Sequence, residues 1–322
     1  MRVSVIMTCH NEECFIEQAI RSVTAQTARD SIDEIVVVND GSTDGSAALL
    51  SRLAGEIPEL RIVTSSGLGL PAARNLAIRE TRGELIAMLD GDDFWAPEKL
   101  ERQCAAFDLD ERVGLVYSDY VDFMRPDLSD AQPVAVRRFG LATQDTLGEY
   151  FVHDGPIVPS VAILRRAALD EGGLFDEEVR LGEDTEMFLR LAEKWKFVHV
   201  PGAFCFKRRH GSNLTRRLDA LLPIAEQMTA RFVARNPRLA PLAGRRMARR
   251  YARTGNDCVQ HGEPGKGVWL LLKAIRLDPF FWRPYAYLAF APVPPRLSAF
   301  LRRGAKAFFH SNRFSARADS LF

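Results

Sequence analysis

An α/β fold on a mostly parallel sheet, followed by a basic helical region, is what this sequence predicts. Three observations carry the prediction. The first hundred residues alternate short apolar runs with amphipathic segments, the pattern of strands that pair in parallel through crossover helices. Several apolar runs end in polar, acidic loops. The sign of the charge then reverses: residues 1–210 carry 23 Lys and Arg against 36 Asp and Glu, and residues 211–322 carry 20 against 6. The overall charge of +1 hides this switch, which predicts two parts with different partners.

In chain order, VSVIMT (Val3–Thr8) reads as a buried strand. EECFIEQAIRSVTAQ places Phe15, Ile16, Ala19, Ile20 and Val23 at helical spacing. EIVVVND (Glu34–Asp40) is a second strand, GSAALLSRLA a second helix and LRIVTS a third strand. LPAARNLAIRE follows as a third helix, with Pro71 suited to its first turn, and ELIAML (Glu84–Leu89) is a fourth strand. From about Val113 to Phe206, strands (VGLVYSDYVDF, SVAILR, KFVHVP, AFCFK) mix with a helix (TEMFLRLAEK), and Gly172-Gly173 marks a turn. Beyond Asn213 the pattern is helical and Arg-rich, giving domains at 1–215 and 216–322. Gly255, Ala274 and Pro279 fall at the spacing of one tetratricopeptide-like helical hairpin, about 245–279. A single such unit must dock on something else, since repeat arrays bury their faces against neighbours.

Composition narrows the classes. With 322 residues and 47% apolar content the chain can bury a large core. Met1-Arg2 leads straight into VSVIM, too short for a secretory core, and no run of eighteen apolar residues predicts a membrane span. Five scattered cysteines without a C-x-x-C pair predict reduced thiols in a cytoplasm and no zinc site. Neither G-x-G-x-x-G nor a P-loop follows a strand, which disfavours dinucleotide-dependent dehydrogenases and P-loop enzymes. A nucleotidyltransferase would need a basic, glycine-rich phosphate loop near its start, and none is there.

The acidic loops carry the chemistry. TCHNEE, NDGSTDG and LDGDD follow three predicted strands and open on one sheet edge, where ligands of parallel sheets sit. An Asp after a strand also serves as a cap or turn residue. Three such loops together are costly unless a cation or hydrogen-bond donors compensate them. Mg²⁺ and similar cations take one or two carboxylates plus phosphate oxygens. The edge is therefore a candidate site for a metal-bound phosphorylated ligand, whose base and ribose would meet Asn11, Glu12 and Asp40. In RLGEDTEMFLRLA, Glu183-Asp184 stand at a helix start, where acids also simply favour the helix dipole; Asp184 is a candidate general base. His210 is a candidate member of a metal shell, if it lies beside Asp92.

These blocks, with LGLPAARNLAIRETRGELIAMLDGDDFWAPEKL, GGLFDEEVRLGEDTEMFLRLA and RRHGSNLT, resemble those of family 2 glycosyltransferases of the GT-A fold, in that family's order over about residues 1–215. The resemblance implies that Thr8, Asn11, Glu12 and Asp40 hold the nucleobase and ribose, and that Arg74 contacts the nucleotide or phosphate. It places a D-x-D motif on Asp90 and Asp92, with Asp90 near the ribose and Asp92 ligating Mn²⁺ or Mg²⁺. It makes Asp184 the base and His210 a further metal ligand. Asp93 is left as a turn-and-cap residue pointing away from the metal. The implied activity is inverting, metal-dependent transfer of one sugar from a nucleotide-sugar, UDP-linked, to an acceptor hydroxyl in cell-surface glycan or glycolipid synthesis. A processive synthase would add Q-x-x-R-W and membrane spans, which are absent from the sequence. The alternative is a nucleotide- or glycan-binding scaffold of the same fold without turnover.

In the tail, RLSAFLRRGAKAFFH places Leu297, Phe300, Leu301 and Phe308 on one face of a basic amphipathic helix, and PFFWRPYAYLAF adds interfacial aromatics. The expectation is a peripheral protein at the inner face of the cell membrane, with a lipid-linked or glycan acceptor. The competing reading packs these aromatics on the helical hairpin or a second subunit. No nucleic-acid module accompanies the charge, so nucleic acid is not an expected partner.

Overall fold

The computed structural model describes residues 1–153, 157–210 and 221–290. The connector APVPP, the basic segment 296–310 and residues 211–215 of the RRHGSNLT block lie outside the described residues. The chain divides into two compact units, 1–216 and 217–322.

The first unit is built on a nine-stranded mixed sheet. Four strands, β1 (Val3–Cys9), β2 (Ile32–Asp40), β3 (Leu60–Ser65) and β4 (Leu85–Asp90), pair in parallel in the order β3-β2-β1-β4. The continuous Val and Ile runs of β1 and β2 suit strands buried on both faces, and Val3, Val5, Val36, Val37 and Val38 are all fully buried. Between them run α1 (Ile16–Thr24), α2 (Ser46–Glu56) and α3 (Leu70–Arg79). The first helix starts at Ile16 and not at Glu12, because residues 10–15 form the loop that leaves the sheet edge.

Past β4 the sheet departs from a purely parallel pattern. It continues through β5 (Phe94–Trp95), α4 (Lys99–Cys104), β6 (Val113–Phe123), β7 (Gln132–Val134), α5 (Thr146–His153), β8 (Ile163–Arg165), α6 (Arg166–Gly172), α7 (Glu183–Leu191) and β9 (Lys196–Arg208). The short β8 inserts antiparallel between β4 and β6, and β9 then pairs in parallel with β6. SVAILR supplies only its last three residues to β8, because Pro159–Val161 form a 3₁₀ turn. KFVHVP and AFCFK are one strand. Pro201 and Gly202 bulge out of the β6 register without breaking it, and Gly202 takes φ +132° there. Two reversals around β8 leave β6 and β9 running in the direction of β4, so the last residues of β9 reach the edge where β1, β2 and β4 end.

All five cysteines are free thiols, and among the described residues no helix is long and apolar enough to cross a membrane.

The second unit contains α8 (Leu221–Arg235), α9 (Ala240–Gln260), α10 (Pro264–Leu277) and α11 (Arg283–Phe290). Its core gathers Ala225, Met247, Ala248, Tyr251, Ala252, Leu270, Leu271 and Ala274. α9 and α10 form a hairpin that closes on two glycines. A Cβ on Gly255 would stand 2.8 Å from the Gly267 carbonyl oxygen, and one on Gly267 2.6 Å from that of Gly255. No larger residue fits at that crossing.

Candidate active site at the sheet edge

Parallel register sets the site. Thr8 pairs with Asp90 across β1 and β4, and Asp40 with Ser65 across β2 and β3. Four strand ends therefore present their loops to one edge.

On the β1–β2 side, Asn11 adopts φ +58°, a left-handed conformation that Asn tolerates. Its Oδ1 accepts from the Thr43 amide at 2.7 Å, and its own amide donates to Ser42 Oγ at 3.1 Å. His10 Nδ1 lies 2.7 Å from the Asp40 carbonyl oxygen. The Asp40 carboxylate is buried and accepts from Ser65 Oγ (2.7 Å) and the amides of Gly67 (3.1 Å), Leu68 (2.7 Å) and Gly69 (2.8 Å). Gly67 and Gly69 both have positive φ, which lets successive amides converge on one carboxylate. Burial alone would raise the Asp40 pKa, but these donors hold it below the ordinary range. Asp40 thus anchors the 65–69 loop.

At the centre, Arg74 is buried and bridges two acids. One nitrogen donates to Asp90 Oδ1 at 2.6 Å and the other to Glu183 Oε1 at 2.7 Å. Burial would weaken its hold on the proton, but Asp90 and Glu183 reverse this and keep it firmly charged. Burial likewise opposes ionisation of Asp90, and Arg74 with Lys207 overcomes it, so Asp90 is held below the ordinary range. Next door, Asn75 donates to the Phe175 carbonyl and accepts from the Phe175 amide, both at 2.9 Å. The two consecutive residues Arg74 and Asn75 thereby lock α3 to the segment that leads into α7. Gly182, at φ +77°, turns the chain so that α7 opens on Glu183 and Asp184. Burial raises the pKa of both, with Glu183 pushed up to about 7; the charge of Arg74 opposes the rise in each.

DGDD resolves into three different environments. Asp90 faces Arg74. Asp92 lies 2.7 Å from His210 Nε2, and both are partly exposed. Asp93 is buried: its Oδ2 accepts from Ser160 Oγ at 2.6 Å and its Oδ1 from the Arg208 amide at 2.9 Å. It turns away from Asp92, and its amide closes a turn on the Asp90 carbonyl at 3.1 Å. Its carboxyl is a cross-link between the acidic loop, the 159–161 turn and β9. Burial first, then Asp92 and Asp90, push it up to about 8.

Glu12 turns inward over Gly91, where a Cβ would stand 1.9 Å from its Oε2. That oxygen is buried without a hydrogen-bond partner among the described residues. Burial and then the charges of Asp92, Asp90 and Asp93 push Glu12 up to about 9, so it is a neutral acid at pH 7 and relieves the crowding.

Two members of the site escape sequence motifs. Lys207 on β9 faces the acidic loop; burial would lower its pKa, but Asp93, Asp90 and Asp92 raise it above the ordinary range. Ser160 donates to Asp93 and accepts from the Asp90 amide at 3.1 Å. For Lys207 a signal existed: strand period two puts it on the face of the fully buried Cys205. Arg208 fixes the end of β9, donating to the Asp92 carbonyl (3.0 Å) and Gln18 (2.6 Å) and lying over the rings of Phe15 and Phe123.

A divalent cation fits these residues. Asp92 and His210 offer a carboxylate and an imidazole at one partly open point, where a divalent cation would keep positions for phosphate oxygens. Among the described residues no three His, Cys, Asp or Glu side chains form a metal shell of their own.

The sequence profile of glycosyl transferase family 2 matches residues 4–173. A chondroitin synthase of Pasteurella multocida is 27% identical over 235 residues, covering 67% of this chain and 22% of that protein. An uncharacterized glycosyltransferase of Nostoc sp. is 36% identical over 124 residues, covering 38% of each chain. This chain thus spans well under half the length of either relative. Among solved structures, S. aureus TarS 1-349 in complex with UDP-GlcNAc superposes with a TM-score of 0.65 at 18% identity, over 94% of this chain and 92% of that one. The mannosyltransferase PcManGT from Pyrobaculum calidifontis, in complex with GDP-Man and Mn²⁺, gives 0.58 at 22% identity, over 95% and 80%. The profile spans more than half of the chain and the sheet carries the matching architecture: this chain belongs to glycosyl transferase family 2 and has the GT-A fold.

Proposed function

We propose that the enzyme transfers a single sugar, with inversion, from a UDP-sugar to an acceptor hydroxyl in cell-surface glycan or glycolipid synthesis, at the cytoplasmic face of a membrane. The observation that carries this reading is the Arg74 bridge, which joins the acidic loop to the Glu183-Asp184 helix start in one buried network. The polysaccharide-synthase relatives support the glycan acceptor, and the UDP-GlcNAc complex of TarS supports the UDP donor.

In this mechanism Asn11 and the loop held by Asp40 receive the base and ribose, and Thr8, Arg74 and Asp90 border the nucleotide. Asp92 and His210 would hold Mn²⁺ or Mg²⁺. The chemistry the cation supplies is charge neutralisation on the departing nucleoside diphosphate. Lys207 adds a fixed positive charge beside the same loop. Asp184 accepts the proton of the attacking hydroxyl; its raised pKa makes it a stronger base near neutral pH. A single base with no covalent carboxylate step gives inversion, as in the geometric logic of glycoside hydrolysis.

Calorimetry of UDP and GDP with and without Mn²⁺, followed by UDP-sugar hydrolysis, tests the reading. The expected result is Mn²⁺-dependent UDP binding and slow hydrolysis of one UDP-sugar. Absence of binding by any nucleoside diphosphate overturns it, and binding without turnover of any donor favours the scaffold.

A further inference from the structure

The helical unit carries an exposed aromatic and basic surface. α10 contains no acidic residue. Gly267, Leu270, Leu271 and Ala274 face its core, while Trp269, Leu272 and Arg276 form a stripe on the opposite side. After α10, Phe280 projects with 97% of its surface exposed and Trp282 with 67%. Phe281 between them packs on the core, with Arg249 over its ring at 4.8 Å. Arg276 and Arg283 flank the two projecting rings. The one acid between Pro264 and Tyr285 is Asp278, paired with Arg249 at 3.4 Å. Large exposed aromatics that alternate with cations along the chain point to an interaction site.

We propose that this face docks on an anionic lipid bilayer, with Phe280, Trp282 and Trp269 entering the interface and Arg276 and Arg283 meeting lipid phosphates. It rests on the membrane-face placement proposed above and names the surface responsible. Charge selects the occupant. In a symmetric pair of copies the patch would meet itself, bringing like charges together. The chain's own segment 296–310 is also basic, with Arg296, Arg302, Arg303 and Lys306. A bilayer supplies both the apolar depth for the rings and the opposite charge.

Tryptophan emission gives a direct readout. Of the four tryptophans, Trp95 and Trp195 are buried, 3% and 6% exposed, so changes on docking report Trp269 and Trp282. The full chain is mixed with phosphatidylcholine vesicles, with or without a quarter of phosphatidylglycerol. The expected result is a blue shift and co-sedimentation with the anionic vesicles only, both weakening as salt rises. The variant Leu272→Glu/Phe280→Glu keeps both reporters and changes exposed positions, so its fold is retained. It is expected to partition about tenfold or more weaker, with UDP binding and UDP-sugar hydrolysis unchanged. Sedimentation of the variant equal to wild type overturns the proposal. So does sedimentation without a blue shift, a concentration-dependent dimer lost in the variant, or a shift caused by single-stranded RNA and not by vesicles. Docking by a protein that binds no nucleotide sinks the catalytic reading alone.

Discussion

Arg74 donates to Asp90 across 2.6 Å, and that bond ties α3 to the acidic loop that follows β4. The other half of the same guanidinium holds Glu183, so one side chain sets the spacing between the acidic loop and the helix that opens on Glu183. Removing it leaves two buried carboxylates facing each other. Arg74→Met is expected to lower stability by about 3–5 kcal/mol, read by urea denaturation. Arg74→Lys recovers part of this, because an ammonium lacks the planar fork that spans both acids.

Asp184 is the proposed base, a role that takes the acceptor's proton and leaves nucleotide binding to other residues. Asp184→Asn is expected to reduce turnover by about 10²–10⁴-fold while UDP affinity stays at the wild-type value. A matching loss of UDP binding in calorimetry contradicts the assignment.

The pair Asp92–His210 is expected to carry the metal dependence. Asp92→Ala should abolish the gain in UDP affinity that Mn²⁺ confers, and His210→Ala should reduce it, while UDP binding in chelator changes little. Titrations of each variant with and without Mn²⁺ measure this directly.

Ser160 satisfies two groups at once, the Asp90 amide and the Asp93 carboxyl. Ser160→Ala orphans the Asp90 amide and the Asp93 Oδ2 in a buried place and is expected to cost about 1–3 kcal/mol. Thermal denaturation should show the loss even without ligand, since the role is independent of catalysis.

Glu12, Asp93 and Glu183 titrate at about 9, 8 and 7 in the folded chain, and near pH 4 when unfolded. Their folded pKa values are raised, so their contribution to stability is complete below about pH 4. It is lost progressively as pH rises through the folded values, because the unfolded chain releases protons that the folded one retains. In chelator, their contribution makes Tm fall between about pH 4 and pH 9. Each tenfold change in proton affinity is worth about 1.4 kcal/mol, or about 3 °C in a domain of this size. Glu12→Gln removes one titrating group and should flatten the alkaline part of that curve. An identical slope in the variant rules out the neutral Glu12.

Much of the edge was legible locally. LRIVTS and VGLVYSDYVDF coincide with β3 and β6 residue for residue, because β-branched runs bounded by turns define strands without outside help. Pro71 does stand in the first turn of α3. The reading weakened where neighbours decide. β5 is two residues long and exists through its pairing with Phe206 and Cys205. Glu12 turns in over Gly91, where a glycine leaves room for its carboxyl, a placement no local pattern encodes.

The sequence alone determined the strand and helix periods, the acidic character of the loops and the order of the family's blocks, all of which depend on residues a few positions apart. Tertiary structure decided the antiparallel insertion of β8 and the return of β9 to the acidic edge. It also decided how the carboxyls of DGDD divide: one on Arg74, one beside His210, one locked to Ser160. Those partners lie 16, 118 and 67 positions away along the chain. A carboxylate's charge and role are set by the donors and burial around it, and no local pattern encodes which distant groups the fold will bring within 3 Å.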